Sequence, residues 1–130
     1  MPITPIAKPK KISLKTLTTK CDRAYQEWGA SVYRQCVLCG AVQQVMHHFA
    51  HKSHSTNLRW DKKNGVPLCH KCHCRTHQRN DPIDVLRMRT EMERIWGVNW
   101  EFYIRTEKIK ILKPNRAYLE DKLKELYGTE

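Results

Sequence analysis

All seven histidines of the chain lie between His47 and His77, and of two Cys-x2-Cys knuckles Cys69/Cys72 falls in the same stretch and Cys36/Cys39 just upstream of it. Each knuckle turns two thiolates toward one point, a spacing that suits a closed tetrahedral Zn²⁺ site better than a disulfide. Cys36, Cys39, Cys69 and Cys72 are therefore the expected structural zinc ligands, the alternative being that His70 or His73 replaces one cysteine. Such a site clamps the stretch from 40 to 68. The histidines offer a different chemistry. His47 and His48 are neighbours on an expected strand, where adjacent side chains point to opposite sides, so one can hold a cation while the other faces a substrate. His73 and His77 stand four apart on an expected helix and share one face, the arrangement that grips a divalent cation. Three imidazoles with positions left open for water and a phosphate oxygen describe a catalytic site rather than a closed one. His51, His54 and His70 are read as bystanders. Cys21 and Cys74 are read as a small buried apolar residue and an incidental helix position.

The elements that must position these groups give an α+β fold class, a small zinc-stabilised ββα module flanked by helices. Residues 1–12, with Pro2, Pro5, Pro9 and Lys8, Lys10 and Lys11, are expected to form a flexible basic arm. Residues 13–32 form an N-terminal helix, capped by Ser13, striped by Leu14, Leu17, Cys21, Ala24, Tyr25 and Trp28, with Gly29 as a stop signal. Residues 33–79 form the module, with a first strand over Ala41–His47, a loop with a short return strand near Leu58–Trp60, and a helix from the second knuckle to Gln78. Residues 80–130 form a helical region. Asp81 and Pro82 open one helix that Gly97 ends, Asn99–Lys110 forms another, and Asn115 caps the last, with Leu119, Leu123, Leu126 and Tyr127 on one face. The stripes of the terminal helices can pair two subunits as a homodimer or pack back on their own module.

Composition bounds the function. At 130 residues the chain is about one domain with a small core, so a structural metal has folding energy to supply. Lys plus Arg number 24 against 13 acidic residues, a formal charge of +11, with a pI near 9.6. That field favours a polyanionic partner. No apolar run approaches the roughly 20 residues of a spanning helix, and the N-terminus lacks the apolar core of a secretory signal. A cytoplasmic protein without a membrane partner is the expectation, in a compartment that keeps thiols reduced. Arg59, Lys62, Lys63, Lys71, Arg75 and Arg79 flank the histidines and are the expected contacts to DNA phosphates. No base-reading motif is present, which points to recognition of backbone and shape.

Over residues 33 to 79 the chain resembles the HNH, or ββα-metal, nucleases: His47-His48 on the first strand, Asn64 before the second knuckle, and Cys69-x2-Cys72-His73-x3-His77 opening the helix. The resemblance implies that His48 is the general base, that His47, His73 and His77 hold a catalytic divalent ion, and that Asn64 holds the loop presenting the base. The implied ion is Mg²⁺ or Mn²⁺, with Ni²⁺ or Zn²⁺ as alternatives better suited to imidazole. A wider likeness runs from residue 11 to 127. Leu14 to Asp22, Cys36-x2-Cys39-Gly40, His48-Phe49, His54, Leu58-Arg59-Trp60-Asp61 and Asn64 are similar to the phage recombination nucleases Rap and NinG, which implies branched DNA such as Holliday junctions or D-loops as substrate. The chain departs from that pattern at His47, where a small residue is usual, and in its fuller metal set at His73 and His77. The competing expectations are a non-catalytic zinc-ribbon nucleic-acid binder, an adaptor using its terminal helices, and a nicking nuclease on linear duplex.

Overall fold

A computed structural model describes residues 11–52, 55–110 and 112–128. His54 and the expected basic arm, except Lys11 and Ile12, lie outside the described residues. The elements run α1 (Leu14–Val32), β1 (Val45–His48), β2 (Gly65–Leu68), α2 (His70–Arg79), α3 (Pro82–Trp96), α4 (Trp100–Lys108) and α5 (Arg116–Tyr127). The result is a mostly helical α+β fold around a two-stranded sheet.

Local signals set most of the ends. The Ser13 hydroxyl accepts from the Thr16 amide at 3.1 Å and starts α1, Asp81 does the same for Ile83 in α3 at 2.8 Å, and Asn115 for Tyr118 in α5 at 2.9 Å. Gly97, at φ +106°, ends α3 as expected. Gly29 does not end α1, which runs on to Val32. A Cβ built on Gly29 would lie 2.1 Å from Met46 Cγ, so this glycine serves the close approach of α1 to β1 rather than a chain reversal.

The sheet departs from the expected layout in both strands. The first strand is Val45–His48 rather than 41–47, and the return strand is Gly65–Leu68 rather than the segment near Leu58–Trp60. Val45 pairs with Leu68, Met46 with Pro67, His47 with Val66 and His48 with Gly65, antiparallel. Pro67 hides this strand from sequence patterning, because proline breaks a ladder at any inward-facing position. Its carbonyl accepts from the Val37 amide at 3.1 Å, so that edge of the residue faces away from β1 and no ladder bond is lost. Leu58 and Trp60 are buried as loop anchors.

Two apolar clusters result. One joins Leu58, Val66 and Leu68 with Cys36, Cys69 and Cys72, and is closed by Met88 and Met92 of α3 and Trp100 and Ile104 of α4. The other joins Leu17, Cys21, Ala24 and Tyr25 of α1 with Met46, Trp60 and Leu119 and Leu126 of α5. The terminal stripes therefore pack on each other within one chain. Each fully buried leucine or methionine there contributes about 1.5–3 kcal/mol. Cys21 is buried as expected, its thiol donates to the Leu119 carbonyl at 3.4 Å, and burial pushes its pKa up to about 11. Cys74 is exposed on α2. No helix among the described residues is long and apolar enough to cross a membrane.

Candidate metal centres and the histidine cleft

The two knuckles meet. The Sγ atoms of Cys36, Cys39, Cys69 and Cys72 all lie within 4.8 Å of one another, and Cys39 and Cys69 approach to 3.6 Å. Zn–S bonds near 2.3 Å at tetrahedral angles put sulfurs about 3.8 Å apart, so this cluster could bind a zinc ion with small adjustment. Cys69 is both a member of the cluster and the N-cap of α2, where the Cys72 amide donates to its Sγ at 3.5 Å. That amide is the main reason its thiol pKa falls to about 7. Burial, reinforced by the neighbouring sulfurs, pushes the Cys72 thiol upward.

The imidazoles come together as well. One ligand atom from each of His47, His73 and His77 falls within 4.8 Å of the others, with ring centroids 5.3 Å apart for His47 and His73 and 4.4 Å for His73 and His77. The Nδ1 atoms of His47 and His73 are buried without a hydrogen-bond partner among the described residues. Orphaned buried nitrogens are costly, and a cation is one way to satisfy them. Burial, with the adjacent imidazoles adding repulsion, lowers the His47 pKa to about 3, and His73 is lowered by burial and by His77. His47 and His73 are thereby held in the neutral, ligating form at pH 7.

The strand does divide its two histidines. His47 turns to α2, while His48 turns to α1, where its ring stacks on Tyr25 with centroids 5.1 Å apart and 20° between planes. His48 Nε2 lies 2.8 Å from the Arg59 carbonyl oxygen. A carbonyl only accepts, so Nε2 carries the proton and the lone pair is on Nδ1. Burial dominates in lowering its pKa to about 4, partly offset by that hydrogen bond and reinforced by Lys52. Both histidines open on one cleft of about 400 Å³, which His51, His73, His77, Gln26 and Lys52 also line, with no carboxylate lining it among the described residues.

Asn64 is fully buried and ties the loop to the sheet. Its Oδ1 accepts from the Ala50 amide at 2.7 Å, and its Nδ2 donates to the carbonyls of Ala50 at 2.9 Å and Leu58 at 3.1 Å. The loop that carries Arg59 is thus held at both ends by one side chain. His51, a bystander in the sequence reading, sits in the cleft with its ring 5.8 Å from His47 and 5.5 Å from His77. It lies on a loop, where no periodicity marks it. His70 is exposed at the start of α2 and is not among the residues lining the cleft.

The six basic residues differ in what engages them. Arg59 is held bidentate by Asp22 at 2.7 and 3.1 Å, and Arg75 by Asp84 at 3.0 and 3.1 Å. Lys62 lies over the Trp28 ring at 5.5 Å and Lys63 over the Tyr103 ring at 4.5 Å. Lys71 and Arg79 are exposed on α2, with no ion pair among the described residues. Comparison of the chain with protein-family models, curated proteins and solved structures finds no match.

Proposed function

We propose that this chain is a metal-dependent DNA endonuclease of the HNH type, with zinc in the four-cysteine cluster and a divalent ion held by His47, His73 and His77. The observation that carries the reading is the placement of the His48 ring and the three-imidazole set on one carboxylate-free cleft. A nucleic-acid binder needs only the cysteine cluster and the charge. It has no use for orphaned imidazole nitrogens beside a fourth histidine whose tautomer is fixed.

His48 Nδ1 takes a proton from a water molecule, whose oxygen forms the new bond to phosphorus while the bond to the 3′ oxygen breaks and that oxygen takes up a proton. A bound divalent ion supplies Lewis-acid stabilisation of the charge on the phosphate and the leaving oxygen. Mn²⁺, Ni²⁺ or Zn²⁺ suits three neutral imidazoles better than Mg²⁺ does. The depressed pKa keeps His48 unprotonated at neutral pH, and the phosphate's negative charge beside the ring raises its proton affinity as substrate arrives. The absence of carboxylates from the cleft wall and the +11 charge favour entry of a phosphodiester. Lys52 lines the cleft itself, and Lys71 and Arg79, exposed on α2 with no ion pair among the described residues, are available to more distant phosphates. Branched DNA of the Holliday-junction or D-loop type is the proposed substrate, as the likeness to the Rap and NinG nucleases implies.

The test is cleavage of four-way, flap and linear DNA across a metal series, comparing wild type with His48→Ala. Wild type is expected to cut, with His48→Ala reduced by about 10²–10⁴-fold, the usual contribution of a general base. Equal cutting by both, or tight DNA binding by wild type with no cutting of any substrate, overturns the reading and leaves the zinc-ribbon binder.

A further inference from the structure

His48 and the carbonyl that holds it belong to the stretch between the two knuckles, yet the side chains that fix both come from α1. Asp22 is the centre of this arrangement. Its Oδ1 accepts from Arg59 Nε at 3.1 Å and from Trp60 Nε1 at 2.9 Å, and its Oδ2 accepts from Arg59 Nη2 at 2.7 Å. One carboxylate thus engages two consecutive loop residues, and the backbone oxygen of the first of them is the acceptor 2.8 Å from His48 Nε2. One turn further along α1, Tyr25 stacks on the His48 ring and donates its hydroxyl to the Asp61 carbonyl at 2.8 Å. Gln26 accepts from the Met46 amide at 2.8 Å and donates to its carbonyl at 3.2 Å, which pins the strand carrying His48.

We propose that Asp22 is a positioning residue for His48, acting through the Arg59–Trp60 segment; this rests on the endonuclease reading above. Residues 58 to 61 form a turn closed by the Asp61 amide on the Leu58 carbonyl at 3.2 Å, and the grip of Asp22 on Arg59 and Trp60 fixes where that turn sits against α1. A bidentate, charge-assisted pair fixes an arginine in direction as well as distance. With Asp22 removed, the turn loses its anchor on α1, the Arg59 carbonyl shifts off His48 Nε2, and the imidazole loses the acceptor that selects its Nε2–H tautomer. The lone pair then spends part of its time on the wrong nitrogen. The same geometry gives Arg59 a role distinct from phosphate binding, because its guanidinium is committed to Asp22.

The experiment compares wild type with Asp22→Asn, Asp22→Ala, His48→Ala and the Asp22→Ala/His48→Ala double variant. It reads single-turnover cleavage rate, DNA affinity and the ¹⁵N resonances of the His48 ring. Asp22→Ala should lower the cleavage rate about ten- to hundredfold, the scale of misplacing a reacting group, while DNA affinity holds. Asp22→Asn keeps an oxygen for Trp60 and should lose less. The double variant should match His48→Ala alone, because the loss passes through that ring. In the spectrum, a single Nε2–H tautomer should give way to a mixture. Weakened DNA binding at an unchanged rate, or a loss that multiplies on top of His48→Ala, or an unaltered His48 spectrum, overturns the proposal. If wild type cuts no DNA, the endonuclease reading falls and the spectrum alone decides whether Asp22 positions the ring. Zinc content and thermal melting report folding, and if Asp22→Ala does not fold, Asp22→Asn carries the comparison.

Discussion

Replacing Asn64 tests how the loop above the cleft is held. The side chain is fully buried and makes three hydrogen bonds, to the Ala50 amide, the Ala50 carbonyl and the Leu58 carbonyl. Asn64→Ala leaves one donor and two acceptors in a space that holds little water. At about 1–3 kcal/mol for each stranded group, with partial relief by water entering the gap, the loss is about 3–5 kcal/mol. For a chain of this size that is a fall in Tm on the order of 10–20 °C. Asn64→Asp separates hydrogen bonding from shape. It keeps an acceptor for the Ala50 amide but turns a second carboxylate oxygen toward two carbonyls, so the charged form is disfavoured and the folded-state pKa of the new group is raised. The folded protein then binds more protons at this position than the unfolded chain, and the deficit relative to wild type grows as pH rises above about 4. Urea unfolding of the three proteins at pH 4.5 and pH 7 measures both effects as differences from wild type at each pH. An alanine variant within about 1 kcal/mol of wild type, or an aspartate variant whose deficit is the same at both pH values, refutes the clamp.

Chelating the metal, or changing Cys36→Ser, should cost stoichiometric zinc and collapse the cluster of Val66, Leu68, Met88 and Met92 around it, read by metal analysis and loss of near-ultraviolet circular dichroism. Stoichiometric zinc retained by Cys36→Ser would contradict the ligand set. His48 has a folded pKa of about 4 against an ordinary value near 6.5, so the unfolded chain binds the extra proton between them. Its contribution to stability is fully present above about 6.5 and is lost as pH falls toward 4; His48→Gln should flatten that part of the pH–stability curve, while an unchanged slope counts against it. Gly29→Ala adds helix propensity worth about 1 kcal/mol. Yet the new methyl meets Met46 Cγ and Sδ at 2.1 and 2.3 Å. The net result should be destabilisation of about 1–2 kcal/mol, relieved by a second change, Met46→Ala, and a more stable single variant would sink the argument.

The sequence made the helices and the metal ligands legible for different reasons. Helix ends were readable because Ser13, Asp81 and Asn115 act on amides two or three residues away, and the four cysteines because knuckle spacing is itself a ligand geometry. The second strand was not readable, since Pro67 breaks the pattern that strands are recognised by and is tolerated because its backbone edge faces away from β1, where its carbonyl accepts from Val37. Gly29 carried a stop signal that tertiary packing overrode. The partners of Arg59 and Arg75 were also out of reach. A run of basic residues near a site looks like a phosphate track until the carboxylates of Asp22 and Asp84 are brought beside two of them. His51 lacked any periodic partner, and only the fold of the loop places it beside His47.

The two candidate centres share α2, and this makes their dependence one-sided. Cys69 caps the helix and Cys72 lies in its first turn, so a zinc ion held by the four cysteines would fix where α2 begins and how it is rotated. His73 follows Cys72 directly and His77 lies one turn beyond, so the rotation set by the cysteines determines which way both imidazoles face. His47 comes to them from β1, whose partner strand β2 leads straight into Cys69. His73 and His77 are therefore aligned through the cysteine cluster, and His47 through β2 beside it together with the Gln26 bonds to Met46. The reverse does not hold, because the cysteines gather around Leu38, Leu68, Met88 and Met92 without help from the histidines. The cysteine cluster is the frame, and the cleft is built on it together with the clamp of Asn64 and the face of α1 that carries Asp22, Tyr25 and Gln26.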